Sequence, residues 1–383
     1  MASKQRLEPL TGLRFFAAVW VVFQHYKYVY MLPYGDLNPV LASIFNKGYV
    51  GVDLFFILSG FVIAYNYIDR FPKFDKTEYV SFLRARVARI YPAYFVTTAV
   101  SGLLAIVFLK EKVSPGQFLA NILMLQTWLN TAGSWRFWEN SLNPPSWSVS
   151  SEWLAYLVFP FFFPLFGRFK DAKKLIVAVT LLTIVSALAI HLTSKLTIVW
   201  MSQGVLRILT EFSIGVLLSQ IFRAIPKPKA NLSLATDLVA VATVLTVALG
   251  HLYWIAPVFG PLILLLAYGQ GRLAKFLSWH PLVFLGEISY STYLVHQIVS
   301  GGVQVLNKKK HFLDPMGQWS VIPVIILAVL VSLPLYYWWE VPMRNLLRGK
   351  RLPKVQAATP DELIPPTVQP DDQGAPNSPH GSE

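Results

Sequence analysis

Ten long apolar segments constrain the fold of this chain more than any other feature of its sequence. Each is about 17–25 residues long, the length that crosses about 30 Å of hydrocarbon as a helix. Only 14% of the residues are charged and 54% are hydrophobic, whereas soluble domains carry about a quarter charged residues. The segments occupy roughly residues 9–30, 50–68, 88–109, 147–166, 175–193, 197–221, 233–252, 254–270, 286–306 and 319–339. The sequence therefore predicts an all-α fold, a polytopic integral membrane bundle of about ten transmembrane helices.

The positive charges follow the apolar segments in a pattern that predicts topology. The net charge is +13, and with a cytoplasmic N-terminus about two thirds of the 33 lysines and arginines face inward. This predicts cytoplasmic positions for both termini, so the excess positive charge is mainly a signal of membrane orientation. Nucleic-acid binding is not favoured, because no basic face with stacking aromatics is evident. Residues 1–350 are expected to form the membrane domain. The Pro-rich, acidic stretch 351–383 is expected to be a disordered cytoplasmic tail.

Arg14 and His25 are two ionisable residues inside the first apolar segment, "LTGLRFFAAVWVVFQHY". Eleven residues of α-helix return to within about 20° of the same face and rise about 16 Å. Arg14 alone is explained by snorkelling to the headgroups, and His25 alone by a hydrogen-bonded core position. Two such groups on one face predict a functional site in the bundle interior.

Carboxylates come close to the outer ends of two other segments. Asp53 opens "GVDLFFILSGFV" at a depth similar to that of His25, where it is a candidate to orient the imidazole or to cap its own helix. Glu152 lies in "WSVSSEW" between Trp147 and Trp153, a candidate acid, base or acceptor-binding group. Ser59 and Gly60 are typical of close helix packing rather than of chemistry.

Arginines gather at the predicted inner end. Arg86 and Arg89 in "FLRARVARIYP" share a helix face and present guanidinium forks that suit phosphates, although membrane anchoring is an alternative. Glu340 and Arg344 flank Pro342 in "EVPMR", where capping and anchoring are the leading interpretation and phosphate binding is the alternative.

Two further motifs place polar residues inside spans. Arg207 and Glu211 in "RILTEFSIG" are four residues apart and are predicted to pair as a neutral structural unit. Tyr290 and His296 in "LGEISYSTYLVHQIV" enter the ninth span, where His296 either lines the same cavity as His25 or is a satisfied core histidine.

Several classes of chemistry find no support in the sequence. Cysteine is absent, so a thiolate metal site and a cysteine nucleophile are excluded, and no His, Asp or Glu cluster has metal-ligand spacing. No phosphate-binding P-loop, HExxH or GxSxG motif is present. Residues 110–146 do not form a clean span and are predicted to be a long outer segment, partly re-entrant.

Seven of these motifs, in order over about residues 7–350, resemble the acyltransferase 3 family of membrane O-acyltransferases. They are Arg14 with ten residues before His25, "FFILSGF", Arg86-x-x-Arg89, "WSVSSEW", "RILTEFSIG", "ISYSTYLVH" and "EVPMR". The resemblance implies a ten-span fold in the bacterial inner membrane and an acyl-CoA donor, usually acetyl-CoA, held by Arg86 and Arg89. It also implies essential roles for Arg14 and His25. Some members carry a fused extracytoplasmic hydrolase-like domain, which is not expected here.

The expected mechanism joins these residues across the bilayer. Arg86 and Arg89, helped by Arg14 or Arg344, would hold the phosphates of acyl-CoA, and His25 would take the proton of an acceptor hydroxyl. Asp53 or Glu152 would orient the histidine or the acceptor, with Trp147, Trp153, Tyr290 and His296 as acceptor contacts. The expected partners are acyl-CoA, a glycan or lipid-linked sugar, membrane lipids and a separate extracytoplasmic transferase protein. The competing interpretation is a transporter or flippase of a glycan or lipid intermediate.

Overall fold

The computed structural model describes a bundle of helices, with no β-strand among the residues it describes. These residues are 7–30, 38–108, 110–128, 140–167, 169, 171–195, 203–226, 228–249, 255–311 and 313–349. The predicted tail 351–383 lies outside them. The longer helices are α1 (Glu8–Tyr30), α2 (Pro39–Asn46), α3 (Val50–Tyr67), α4 (Lys76–Phe108), α5 (Pro115–Ile122), α6 (Trp147–Phe166), α7 (Ala172–Lys195), α8 (Gln203–Ala224), α9 (Ser233–Leu249), α10 (Ile255–Ala267), α11 (Arg272–Leu277), α12 (His280–Lys310), α13 (Val321–Pro334) and α14 (Val341–Leu347). A π-helical turn, Leu335–Glu340, joins α13 to α14.

Each of the ten apolar segments coincides with a helix, so the all-α fold is confirmed. Among the described residues, four helical stretches are long and apolar enough to cross a membrane: Val50–Arg70, Lys76–Phe108, Gly204–Ala224 and Val321–Leu347. Large apolar side chains such as Leu181, Val241 and Leu330 are exposed on the outer faces of α7, α9 and α13. A water-soluble protein rarely exposes so much apolar surface, whereas lipid covers it without cost. The count of ten spans and the side of the termini stay predictions.

The helix α4 begins twelve residues before the predicted span, at Lys76. Its first turns, "KTEYVSFLRARVAR", are polar and basic, so they lack the apolar run from which a span is predicted, yet they contain no helix breaker. This extension places Arg86 and Arg89 well inside a continuous helix rather than at its start.

The centre of the bundle is α3, which is buried along nearly its whole length. It packs against α8 through two glycines. A Cβ built on Gly60 would lie 2.0 Å from the carbonyl oxygen of Phe212, and one on Gly215 would lie 2.0 Å from that of Ile57. Only glycine allows this backbone approach, which confirms Gly60 as a packing residue.

The described residues before α6, 110–128 and 140–146, fold back against α4 and α6, whereas residues 129–139 of the predicted outer segment lie outside the described part of the chain. The amide of Glu111 bonds Ala105 O, and Tyr94 Oη donates to Asn121 O at 2.5 Å. Ala105 and Tyr94 are eleven residues apart on α4, so the segment descends by about 16 Å. Trp128 Nε1 then donates to Ser150 O at 2.9 Å. As a result α6 begins inside the bundle, at buried Trp147.

Candidate active site

A deep cavity of about 580 Å³ lies between α1, α3, α4, α6, α12 and α14. Its lining carries six arginines and one carboxylate, which is an unusual charge for a bundle interior. The polar lining residues are Arg14, Ser59, Asn66, Tyr67, Arg70, Arg86, Arg89, Ser148, Glu152, Tyr156, Ser289, Tyr290, Tyr293, Arg344 and Arg348. The structure thus brings together six residues predicted from the sequence: Arg14, Arg86, Arg89, Glu152, Tyr290 and Arg344.

The mouth of the cavity is at the end of the bundle where α3 ends. Asn66, Arg70 and Arg348 are exposed there, whereas Val52 and Phe56, at the other end of the lining, are buried. Val52 and Tyr67 are fifteen residues apart on α3, so the cavity extends about 22 Å along this helix. It ends at Ser148 and Tyr293, whose hydroxyl groups are 2.8 Å apart.

Arg86 is held by aromatic side chains rather than by an acid. Its Nη2 donates to Tyr67 Oη at 2.9 Å, and its guanidinium lies 4.9 Å from the centre of the Tyr67 ring. The buried Nε has no hydrogen-bond partner among the described residues. A cation positioned by π-faces keeps its full charge available to a ligand in the cavity.

Arg89, by contrast, is neutralised by Glu340. The two side chains form an ion pair, and Glu340 is fully buried behind the cavity wall. Ser291 Oγ donates to the second carboxylate oxygen at 2.6 Å, and Arg344 Nη1 lies 3.7 Å from the first. The guanidinium of Arg89 also lies 5.4 Å from the Tyr290 ring centre. Glu340 therefore braces two arginines of the site, a role beyond the capping that the sequence favoured.

Arg14 and Glu152 lie deeper than this cluster. Both line the cavity, and Tyr156 Oη donates to Glu152 Oε1 at 2.6 Å. Ser59 Oγ is 3.2 Å from the same tyrosine hydroxyl, so Ser59 belongs to the polar lining, which differs from the packing role predicted from its sequence. Arg14 lines the cavity, and within the described part of the chain no hydrogen bond to its guanidinium is found.

His25 meets another histidine rather than a carboxylate. Its Nδ1 is 2.7 Å from Nε2 of His296, whose own Nδ1 is 2.5 Å from the carbonyl oxygen of Tyr293. The lining of the cavity includes Tyr293 but neither imidazole. The connection between the arginine-rich cavity and His25 therefore runs through Tyr293 and His296 rather than through a continuous lining.

Asp53 is placed differently from the expectation that it orients His25. Arg207 donates to Asp53 Oδ1 from Nε at 2.9 Å and from Nη2 at 2.7 Å. The same guanidinium lies 5.3 Å from the Trp147 ring centre, and fully buried Glu211 neighbours both charges. Arg207 was predicted to pair with Glu211 on its own helix. In the structure it pairs instead with Asp53 on α3, because the close contact of α3 with α8 brings the two side chains within reach.

Of the remaining residues predicted to contact the acceptor, one lines the cavity and two do not. Tyr290 lines the cavity, with its hydroxyl donating to Ile90 O at 2.8 Å. Trp147 and Trp153 do not line it; Trp147 is buried against Phe56, and Trp153 packs against the core. The described residues contain no group of three or more His, Asp or Glu placed to hold a metal ion.

Sequence reasoning missed several polar lining residues, among them Arg70, Arg348, Tyr67 and Tyr156. Arg348 follows Arg344 by four residues and so shares its helix face, a signal that was available in the sequence. Arg70 lies on an inward-facing segment of the predicted topology, where a basic residue gives no separate signal of a site. The two tyrosines carry no sequence signal, because their role depends on which helices α3 and α6 meet.

Comparisons with known proteins match this chain to acyltransferases. The family model described as an acyltransferase domain matches residues 8–337. The chain is 28% identical to the acyltransferase MdmB of Streptomyces mycarofaciens, over 93% of this chain and 96% of that protein. It is 24% identical to the O-acetyltransferase OatA of Staphylococcus aureus (90% of this chain, 58% of that protein). It is 22% identical to the putative peptidoglycan O-acetyltransferase YrhL of Bacillus subtilis (88% and 54%).

The chain therefore spans little more than half the length of OatA and YrhL. No solved structure matches it. Because the acyltransferase model covers most of the chain, and the matched residues include every helix that lines the cavity except α14, the chain belongs to the acyltransferase 3 family of membrane acyltransferases.

Proposed function

We propose that this protein is a multi-pass O-acetyltransferase of the bacterial inner membrane. It takes an acyl group, most simply acetyl, from cytoplasmic acyl-CoA and transfers it to a hydroxyl of an extracytoplasmic or lipid-linked glycan. The observation that carries the proposal is the deep cavity with six guanidinium groups at one end of the bundle. The family membership limits the chemistry to acyl transfer.

The charge of the cavity suits a polyphosphorylated donor. Glu152 lines the cavity, Glu340 pairs with Arg89, and Glu78 is 2.6 Å from Arg70. Six arginines against these three carboxylates leave an excess of three positive charges. Coenzyme A carries a pyrophosphate and a 3′-phosphate, and guanidinium forks bind such groups through paired hydrogen bonds. Arg86 and Arg348, for which no ion pair is present among the described residues, and Arg344, which shares Glu340 with Arg89 at 3.7 Å, are the leading contacts.

The length of the cavity suits the rest of the donor. A pantetheine arm reaches about 15–20 Å when extended. With phosphates near Arg86 and Arg344, an arm of that length would place the thioester near Ser148 and Tyr293, where the cavity ends. The adenosine would remain at the mouth, which is open to solvent on the proposed cytoplasmic side.

His25 would act as the general base, and no covalent enzyme intermediate is required. The acceptor oxygen would form a bond with the thioester carbonyl carbon while its proton passes to the imidazole. The carbon–sulfur bond would then break, and coenzyme A would leave as the thiolate. Arg14, which lines the cavity, would stabilise negative charge at the thioester oxygen.

The names of relatives guide the choice of acceptor. YrhL is named as a putative peptidoglycan O-acetyltransferase and OatA as an O-acetyltransferase, which supports a glycan hydroxyl. MdmB, whose length this chain matches almost completely, is named an acyltransferase, which favours direct transfer by the membrane domain. Delivery through a separate extracytoplasmic protein is the other route open to a chain of this family.

Thiol release tests the proposal against the rival transporter. The purified protein in lipid nanodiscs would be given [¹⁴C]acetyl-CoA with and without peptidoglycan fragments or sugar acceptors. We expect acceptor-dependent release of coenzyme A thiol and label in the glycan. A transporter would release no thiol, and that result would overturn the proposed activity.

A further inference from the structure

The imidazoles of His25 and His296 meet edge to edge. Their ring centres are 5.0 Å apart and their planes differ by 11°. An in-plane N–H···N bond of about 2.8 Å, with a ring radius of about 1.1 Å at each end, gives a similar separation. The measured Nδ1–Nε2 distance of 2.7 Å is therefore that of a well-aligned hydrogen bond rather than of face stacking.

The surroundings determine which nitrogen of His296 carries hydrogen. A carbonyl oxygen only accepts hydrogen bonds, so Nδ1, which lies 2.5 Å from Tyr293 O, must donate. The ring is 0% exposed, and in the described structure no carboxylate contacts it, so a charged imidazolium there would be costly. The ring is therefore neutral, and its Nε2 has a lone pair.

The lone pair on Nε2 of His296 determines which ring nitrogen of His25 carries hydrogen. Nε2 of His296 can only accept, so Nδ1 of His25 is the donor between the two rings. A neutral imidazole has one N–H group, which leaves Nε2 of His25 unprotonated. No hydrogen bond from the described residues occupies this nitrogen, and the His25 side chain is partly exposed.

We propose that His296 is a positioning residue that selects the reactive nitrogen of His25. In this arrangement Nδ1–H of His25 donates a hydrogen bond to Nε2 of His296, and Nδ1–H of His296 donates one to the carbonyl oxygen of Tyr293. This inference rests on the proposed function, in which His25 takes the proton of the acceptor hydroxyl. That proton enters at Nε2, the acyl–oxygen bond forms as the carbon–sulfur bond breaks, and the thiolate departs.

During that step the contact between the two rings gains strength. When Nε2 of His25 is protonated, its Nδ1–H becomes a charge-assisted donor to His296. His296 thus fulfils the orienting task that a carboxylate performs in a Ser–His–Asp triad, without placing a second charge in the bundle. The pairing of Asp53 with Arg207 agrees with this, because it leaves His25 without a carboxylate neighbour among the described residues.

Two substitutions at His296 separate positioning from proton transfer. His296→Gln keeps an acceptor oxygen near the position of Nε2, whereas His296→Leu removes it. We expect kcat to fall about 100-fold or more in His296→Leu, with the KM for acyl-CoA little changed, and to stay within about tenfold of wild type in His296→Gln. Equal loss in both variants, or wild-type activity in His296→Leu, would overturn the positioning role.

A spectroscopic measurement on the wild-type protein does not depend on activity or on the folding of a variant. With ¹⁵N-labelled histidine in nanodiscs, we expect both rings to show Nδ1–H and unprotonated Nε2, with a scalar coupling across the N–H···N bond. An active enzyme with hydrogen on Nε2 of neutral His296 would overturn this inference alone. A protein with the expected tautomers but no acyl transfer would overturn the proposed function and leave the hydrogen-bond order standing.

Discussion

Glu340 and Arg89 form an ion pair between the π-helical turn and α4, although 251 residues separate them in the chain. The carboxylate is fully buried and also binds Ser291 and neighbours Arg344. One acid therefore sets the orientation of two arginines at the cavity, and it links the π-helical turn to α4 and α12.

Glu340→Gln is expected to lower stability because it leaves Arg89 without its counter-charge. Breaking a buried pair costs about 3–5 kcal/mol, and access of Arg89 to cavity water places this loss near the lower value. The thermal midpoint in detergent measures it. The double variant Arg89→Met/Glu340→Met should recover most of the midpoint but no activity. A double variant less stable than Glu340→Gln would contradict the pairing.

His25→Ala is expected to abolish acyl transfer while acyl-CoA still binds. The proposed base is lost, whereas the arginines that would hold the donor lie elsewhere in the lining. The measurements are label transfer to the glycan and donor affinity by isothermal titration. Transfer at the wild-type rate would end the assignment of His25.

Arg86→Gln is expected to raise the KM for acyl-CoA by about 10–100-fold, the loss of one charge-assisted hydrogen bond of about 1.5–3 kcal/mol. Arg223→Gln is the matched control, because Arg223 is also an arginine near the mouth side but pairs with Asp69 and does not line the cavity. An equal effect of the two substitutions would indicate general surface charge rather than a donor site.

Within the Asp53, Arg207 and Glu211 cluster, loss of the arginine is expected to be the most damaging change. Arg207→Leu leaves two buried carboxyl groups together, whereas Asp53→Asn leaves Glu211 close to the guanidinium. The thermal midpoint should therefore fall further in Arg207→Leu than in Asp53→Asn. The reverse order would show that Glu211 does not share the charge of Arg207.

Gly60→Leu is expected to prevent folding, since even a Cβ at this position would lie 2.0 Å from Phe212 O. Yield of monodisperse protein in detergent is the measurement. Gly301→Leu is the control, because nothing lies within 4 Å of a Cβ built there. Normal yield of Gly60→Leu would contradict the close packing of α3 on α8.

Much of the fold was predictable because apolar length and basic flanks are properties of the sequence itself. The ten segments located the helices, and the spacing of Arg14, Arg86, Arg89 and Arg344 located the arginine cluster. Those residues lie on long helices whose direction across the bundle follows from counting spans.

Pairing across helices was harder to predict. Asp53 was matched with His25 by depth alone, but depth does not specify rotation about the helix axis. The glycine contact of α3 with α8 sets that rotation and turns Asp53 toward Arg207. In the same way, the residues around Glu340 in the sequence predict a helix cap. Its partner Arg89 is identified only by the contact of α4 with the π-helical turn.

The inward start of α6 has a consequence for selectivity among thioesters of different size. The blind end of the cavity is formed in part by Ser148, on the first turn of α6, directly after the short 3-10 helix Pro144–Ser146. Ser148 lines this end directly, so a larger or smaller side chain at its position changes the room for the acyl group while the long helices keep their places.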